Sequence, residues 1–290
     1  MKKHLLFLLF IIFSECTESN LAFHPGTNTS DGILKLVKNF GGSKNDVAKS
    51  VVSTLDGGFA VLGYTQSIDG DVTDKATEDY DFWMLKFDSE AQLEWNKTYG
   101  GSGDDRGSSI IETSDGGYAL LGYSDSTDGD VSSNNGNRDF WLVKITASGV
   151  LTWQKSFGYE GLDEGVSVIE TSDNHLMLSG VLDVTASGGE GNQGRLYNRH
   201  AGGDYWSIKI TPTGDIVWSR FYGGTFTDSP TGIKETLNDG FISVGGSDSN
   251  DVDISNNKGS YDFWIVKSDR NGDIVWEKSF GGSEIDEARD

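Results

Sequence analysis

The stretch DFWLVKITASGVLTW, residues 139–153, decides how this chain folds. Its pattern returns at residues 81–95, 204–218 and 262–276. Each copy begins with Asp-aromatic-Trp, carries a lysine three residues after the tryptophan, and ends on a second tryptophan 12 residues after the first. All eight tryptophans of the chain fall in these four stretches. Tryptophan is rare, so this regularity predicts one supersecondary unit repeated four times.

The quoted stretch predicts two β-strands joined by a turn. Side chains alternate between the two faces of a strand, so Trp141 and Val143 share one face while Phe140 and Leu142 share the other. Both faces are apolar, which is typical of a strand that is covered on both sides. Gly149 supplies the positive φ that a turn needs before the next strand begins.

The remainder of each unit predicts two more strands. In the second unit a glycine-rich corner at residues 100–102 is followed by Asp105, a strand near residues 107–113, the hairpin signal Asp-Gly-Gly at 115–117, and a short apolar strand. We therefore expect an all-β fold, a β-propeller-like array of four-stranded antiparallel blades. The four complete units span about residues 41–99, 100–157, 158–222 and 223–280.

The ends of the repeat leave its closure open. Residues 32–41 align without gaps on residues 149–158, which predicts a lone N-terminal strand equivalent to the fourth strand of a unit. Residues 281–290 match the start of a further, truncated unit. Either the chain is a fragment of a longer propeller and forms an incomplete ring, or the four units close with the extra strand as a latch. An open array would leave an unpaired edge, which favours aggregation.

The third and fourth strands resemble the repeat of quinoprotein and outer-membrane-assembly propellers, in which Asp, a turn glycine and Trp occur at similar spacing. The runs that carry the resemblance are Lys144 to Trp153, Lys209 to Trp218 and Lys267 to Trp276. The whole unit also resembles tandem repeats of bacterial exported surface proteins. The resemblance implies a propeller-like fold over about 250 residues. No set of residues that would bind a quinone is identifiable, so that cofactor is not implied.

The N-terminus predicts export. Residues 1–16 have the form of a signal peptide, with a basic start and the apolar run LLFLLFIIF, which is too short to span a bilayer. Cys16, the single cysteine, comes after this run and after Ser14 and Glu15, and it occupies the place of the lipidated cysteine of a bacterial lipoprotein. Glu15 stands where such signals usually carry a small residue, which leaves ordinary secretion as the alternative. Residues 17–31 are polar and predict a flexible tether before a repeat domain at 32–290.

These features predict an outer-membrane or cell-surface lipoprotein anchored at Cys16, or a secreted protein. The net charge of −22 repels nucleic acid and anionic lipid, so neither is expected as a partner. A membrane contact is expected only through the lipid anchor. The expected partner is an extracellular protein or glycan.

The loop between the second and third strands carries alternating aspartates. The candidate metal ligands are Asp69, Asp71, Asp128, Asp130, Asp251 and Asp253. Carboxylate oxygens are the hard ligands that calcium prefers. The loops are shorter than an EF-hand loop and lack its glutamate, so an EF-hand is excluded. The alternative is a turn stabilised by aspartates that hydrogen-bond their own backbone.

The third unit is seven residues longer than its neighbours, and the extra length lies before Asp204. This insertion brings basic and aromatic residues into an acidic chain, and loops carry function more often than scaffold strands do. The candidate ligand-binding residues are Arg195, Tyr197, Arg199 and His200. The alternative is a neutral insertion.

The sequence favours a non-enzymatic function. It contains no HExxH, GxSxG or phosphate-binding loop, and no catalytic residue can be singled out. We expect an exported scaffold that binds protein or glycan, with or without calcium. The alternatives are a glycan-processing hydrolase, which needs two carboxylates converging in a cleft, and a non-functional fragment of a longer surface protein.

Overall fold

The computed structural model describes residues 37–187, 199–237 and 240–287, and these residues form sixteen β-strands and no helix. All sixteen strands lie in one compact unit of the chain, Phe40–Asp290. The strands are β1 (Asp46–Ser53), β2 (Phe59–Thr65), β3 (Asp81–Phe87), β4 (Leu93–Tyr99), β5 (Asp105–Glu112), β6 (Tyr118–Ser124), β7 (Asp139–Ile145), β8 (Leu151–Phe157), β9 (Glu164–Glu170), β10 (Leu176–Asp183), β11 (Gly203–Ile210), β12 (Ile216–Tyr222), β13 (Asp228–Glu235), β14 (Phe241–Ser247), β15 (Asp262–Ser268) and β16 (Ile274–Phe280).

The strands form four antiparallel sheets of four, each in chain order: sheet 1 is β1–β4, sheet 2 is β5–β8, sheet 3 is β9–β12 and sheet 4 is β13–β16. The first strand of each later sheet packs on the first three strands of the sheet before it. In the described residues the four sheets do not close into a ring. The prediction of an all-β, propeller-like array of four-stranded blades is confirmed.

The predicted lone strand at residues 32–41 lies partly outside the described residues, and residues 37–41 are not in a strand. The signal peptide, Cys16 and the tether also lie outside the described residues. No helix in the described ranges is long and apolar enough to cross a membrane.

The core lies between consecutive sheets. Trp141 and Val143 face sheet 1, where they join Leu62 and Phe82 in one buried cluster. The opposite face of β7 belongs to a second cluster, shared with sheet 3. Both faces of the third strand are therefore buried, as the alternation predicts, and each junction between sheets buries one face of each neighbour.

In sheets 1 to 3 the hairpin between the first and second strands is tied to the third strand by a buried lysine. In sheet 2 the Asp115 carboxylate accepts hydrogen bonds from Thr113 and from the Gly117 amide, and it pairs with Lys144 at 2.9 Å. Burial alone would raise the pKa of Asp115, but the bonds from Lys144 and Thr113 outweigh it and lower the pKa to about 2. The equivalent pairs are Lys86–Asp56 at 2.8 Å and Lys209–Asp173 at 2.7 Å.

Candidate functional site

A corner aspartate fixes the glycine-rich corner at the start of every unit. The Asp105 carboxylate accepts the Gly101 amide at 2.7 Å and the Ser126 hydroxyl at 2.9 Å. The same amide contact recurs at 2.7–2.8 Å in every unit. The five corner aspartates are Asp46, Asp105, Asp163, Asp228 and Asp286. A Cβ on Gly100 would lie 2.4 Å from Asp81 Oδ1, which explains why the corner requires glycine.

A second buried aspartate begins the third strand of each sheet. Asp139 Oδ2 accepts the Asn135 amide at 2.8 Å, so the carboxylate holds the backbone at the strand entrance. Asp262 accepts the Lys258 amide at 2.9 Å in the same way. Asp81 differs, because its partner is the buried Lys75 ammonium at 2.9 Å. The four strand-entry aspartates are Asp81, Asp139, Asp204 and Asp262.

Burial holds several of these carboxyls at unusually high pKa. It raises the pKa of Asp81, Asp163 and Asp228 to about 7. For Asp139 the pKa rises to about 6, and its buried Oδ1 accepts no hydrogen bond among the described residues. A perturbed carboxyl can mark an active site. Here the shift recurs in all four sheets, so it is a property of the repeated architecture.

The aspartates predicted as metal ligands accept hydrogen bonds from the glycine-rich corner of their own unit. We call this arrangement the loop clasp. Gly100 donates its amide to Asp130 at 3.2 Å, and the Asp130 amide returns a bond to the Gly100 carbonyl at 2.8 Å. Asp128 accepts the Ser102 amide at 2.7 Å. The other four aspartates accept corner amides at 2.8–3.4 Å, and they are Asp69, Asp71, Asp251 and Asp253. Among the described residues, no group of three or more His, Cys, Asp or Glu side chains could hold a metal ion. The geometry therefore favours the aspartate-stabilised turn.

The loop clasp is anchored by an apolar residue directly after the second aspartate. Val72, Val131 and Ile254 are all buried. Replacing Val131 by alanine removes two buried methyl groups and is expected to lower the free energy of unfolding by about 2 kcal/mol. Urea unfolding at constant pH measures this loss.

The matched control is Val150→Ala, because the Val150 side chain is mostly exposed. It should change the free energy of unfolding by no more than about 0.5 kcal/mol. Equal losses in the two variants would contradict an anchoring role for the loop valine.

The third unit departs from the clasp. Leu182 and Val184 are buried where sheet 2 has the hydroxyls of Ser124 and Ser126. The corner aspartate Asp163 compensates, since it accepts the Asp183 amide at 2.9 Å. The loop that follows contains the inserted residues, and the motif of alternating aspartates is missing from it.

Of the four predicted ligand-binding residues of the insertion, Arg199 and His200 lie within the described residues. Arg195 and Tyr197 lie outside the described residues, and Arg199 is exposed. His200 is buried, with Nδ1 hydrogen-bonded to the Asp204 carboxylate and Nε2 3.6 Å from Asp253 Oδ2. The structure thus places His200 inside the junction between sheets 3 and 4, in the role that Lys75 has at the first junction. A ligand role for Arg195, Tyr197 and Arg199 stays a prediction.

A polar cleft of about 380 Å³ lies at the junction between sheets 1 and 2. We call it the first-junction cleft. Its wall combines the exposed side chains Asp74, Thr77, Ser102 and Asp128 with the half-buried Asp130. These side chains supply hydroxyl donors and carboxylate acceptors around an open space.

The carboxylates of the cleft already hold protein groups. Thr98 donates both its amide and its hydroxyl to Asp74, at 3.1 and 3.0 Å. Lys75 forms ion pairs with Asp79 and Asp81. Nothing in the sequence distinguishes Lys75 from lysines that are exposed to solvent. The sequence identifies Asp128 and Asp130 in this wall, but as metal ligands. It misses Asp74 and Lys75, whose residue types do not recur at the aligned positions of the other units.

Comparisons with known proteins add little to this geometry. No family model and no curated protein matches the chain. Among solved structures it is similar to the crystal structure of a protein of unknown function from Bacteroides caccae, with a TM-score of 0.43 and 10% identity over 80% of this chain and 67% of that chain. At this identity and TM-score the similarity carries no argument, and the fold class rests on the sheets themselves.

Proposed function

We propose that this chain is an exported, non-enzymatic scaffold that binds an extracellular glycan in the first-junction cleft. The observation that carries the proposal is the wall of the cleft, where hydroxyls and carboxylates face a space of about 380 Å³. Glycans present many hydroxyl groups, which both donate and accept hydrogen bonds. Thr77, Ser102 and Asp128 match that chemistry.

A binding role is favoured over hydrolysis by the state of the carboxylates. A hydrolase needs one carboxylic acid and one free carboxylate at the scissile bond. Asp81, with a pKa near 7, would suit a general acid. The same pKa occurs at Asp163 and Asp228 in other junctions, and Asp74 and Asp130 accept backbone amides. The carboxylates of the cleft thus act in the fold.

Export and anchoring remain part of the proposal. The basic start, the apolar run and Cys16 support secretion with a lipid anchor at the cell surface or outer membrane. The net charge of −22 would keep such a protein soluble and away from anionic lipid. A protein partner with basic residues is the second candidate ligand, because four aspartates lie around the cleft.

Replacing Asp128 by asparagine tests the cleft directly. The amide oxygen can still accept the Ser102 amide bond, so the corner is retained while the charged acceptor is lost. We expect glycan affinity to fall about tenfold, which corresponds to the loss of one charge-assisted hydrogen bond. The measurement is a glycan array followed by calorimetry on the best ligand, with and without EDTA.

Asp251→Asn is the matched control, because Asp251 accepts the Thr225 amide in the equivalent corner of the fourth unit. It should leave the affinity unchanged. Equal weakening by both variants would contradict a site in the first-junction cleft. Hydrolysis of the bound glycan would overturn the non-enzymatic proposal, and binding that vanishes with EDTA would restore the calcium interpretation.

A further inference from the structure

Aromatic pairs connect consecutive sheets, and Phe263 of the last sheet is in no such pair among the described residues. Phe82 packs on Trp141 with ring centroids 4.7 Å apart, and Phe140 packs on Trp206 at 4.8 Å. Tyr205 packs on Trp264 at 4.7 Å. In each pair the third-strand aromatic of one sheet meets the third-strand tryptophan of the next. Phe263 holds the same position in sheet 4 but is only half-buried, and its ring partner is Phe280 of its own sheet, at 6.2 Å.

The whole face around Phe263 is open. In β3, β7 and β11 every residue from the entry aspartate onward is buried, whereas in β15 buried and half-buried residues alternate. Phe280 is 48% exposed, although its equivalents Tyr99, Phe157 and Tyr222 are buried. We call this surface the sheet-4 outer face, and it consists of Ile242, Val244, Phe263, Ile265, Trp276 and Phe280.

A polar residue at the rim of this face also corresponds to one partner of an ion pair seen at other junctions between sheets. At the second and third junctions the fourth strand reaches an aspartate in the turn of the next sheet, as Lys155 does with Asp215 at 3.3 Å and Arg220 with Asp273 at 3.4 Å. Lys278 has the corresponding position in β16 and is exposed. An occupant of the face is therefore expected to bring an acidic turn to Lys278.

The hairpin tips give a second rim signal. The Glu170 carboxylate of sheet 3 accepts two hydrogen bonds from Ser114 of sheet 2. The Ser114 amide donates one at 2.8 Å, and the Ser114 hydroxyl donates the other at 2.7 Å. Glu235 of sheet 4 does the same for Ser172. The next tip residue in this series is Leu237, whose side chain is fully exposed. The expected occupant thus carries a glutamate at the end of its first strand.

The corner that leads into such an occupant is already folded. Gly282 donates its amide to Asp286 at 2.7 Å, as Gly101 does to Asp105. Asp286 donates its amide to the Tyr261 carbonyl at 2.6 Å, in the manner of Asp105 with Tyr80. At the earlier junctions this corner continues directly into the first strand of the next sheet.

Sheet 1 is a poor occupant, whether from the same chain or from a second copy. Trp83 is already buried, and Phe40 covers this side by packing on Phe87 at 5.2 Å. Sheet 1 also has Ser53 where the later sheets have the tip-binding glutamate, and Ala91 where they have the turn glycine. Its face lacks two elements of the repeated junction.

We propose that the sheet-4 outer face is a docking surface for one further unit of this repeat, which enters from the corner at residues 281–286. The unit places a tryptophan on Phe263, a glutamate on the hairpin tip at Leu237 and an acidic turn on Lys278. This inference is independent of the proposed glycan function, because it concerns the opposite end of the array of described sheets.

The test lengthens the 290-residue chain at its C-terminus by a copy of residues 110–157 that carries Val150→Asp, which supplies Trp141, Glu112 and an acidic turn in the required register. We expect Tm to rise by about 5 °C or more. Trp276 fluorescence, identified by difference from a Trp276→Phe variant, should become protected from acrylamide. Hydrogen exchange at the Leu237 amide should slow.

Two variants of the added copy are the controls. Trp141→Ser in the copy should abolish the rise in Tm and the protection of Trp276. Glu112→Ala in the copy should leave the added sheet folded and Trp276 protected, while exchange at Leu237 returns to that of the parent chain. Equal effects of the parent and Trp141→Ser copies would overturn the proposal. So would sedimentation showing that the 290-residue chain is a dimer with Trp276 protected, because the occupant would then be a second copy.

Discussion

Replacing Trp141 by alanine is expected to lower the free energy of unfolding by about 3–5 kcal/mol, the range for truncating a large buried aromatic. The Trp141 side chain is fully buried between sheets 1 and 2, where it packs on Phe82. Its indole Nε1 also donates a hydrogen bond to Gln154 at 2.8 Å. The variant loses the buried area, the aromatic contact and that bond together. Urea unfolding followed by circular dichroism measures the loss.

Trp276→Ala is the matched control, because it removes the same side chain from the fourth strand of sheet 4. Trp276 is 40% exposed, because it lies on the sheet-4 outer face, which no other described sheet covers. We expect a loss of about 1 kcal/mol or less. If both variants lose the same free energy, the junctions between sheets are not the main source of stability.

The fold could be predicted because its determinants are local. The alternation of Trp141 and Val143 against Phe140 and Leu142 reports that both faces of β7 are buried, and turn glycines such as Gly149, with φ of 75°, mark where strands end. Because the same pattern occurs in four copies, it predicts the strands more strongly than a single copy would. What a single strand cannot indicate is whether the last sheet has a neighbour, and the open face around Phe263 became visible only in three dimensions.

The candidate site was harder to predict because its contacts span long stretches of chain. Asp130 and Gly100 are 30 residues apart, and nothing in either short motif indicates that they bond each other. The pattern of aspartates is therefore compatible with calcium ligands or with an aspartate-stabilised turn, and in the structure each of these aspartates accepts a corner amide. His200 shows the same limit, since its position in an insertion predicts exposure, and only the packing of the junction reveals its burial against Asp204.

Stability is expected to rise as the pH falls from 7.5 to about 5. Burial raises the pKa of Asp81, Asp163 and Asp228 to about 7, compared with 3.8 for an unperturbed carboxyl. Between these values the folded state holds protons that the unfolded chain has released, so the free energy of unfolding decreases as the pH rises through this window. We expect a gain of about 2 kcal/mol or more at pH 5 relative to pH 7.5, measured by urea unfolding.

The hairpin aspartates set the opposite limit. Asp115 and Asp173 have a pKa of about 2, lower than in the unfolded chain, because their bonds to lysine and threonine outweigh burial. Their contribution is complete above about pH 4 and is lost as the pH falls through about 2. The maximum of stability is therefore expected between about pH 4 and pH 5, close to the sequence pI of 4.4 for a reason unrelated to net charge.

Asp139→Asn separates the buried carboxyls from other causes of pH dependence. The asparagine oxygen can still accept the Asn135 amide, while the group that titrates near pH 6 is gone. We compare the free energy of unfolding of the variant with that of the parent at each pH. This difference, variant minus parent, should be about 1 kcal/mol larger at pH 7.5 than at pH 5. Asp115→Asn should instead lose stability equally at both pH values, since that carboxylate is ionised throughout. If Asp139→Asn kept the full pH slope of the parent, the charge on this aspartate would not oppose folding, and the repeated carboxyls would be ionised inside the junctions at neutral pH.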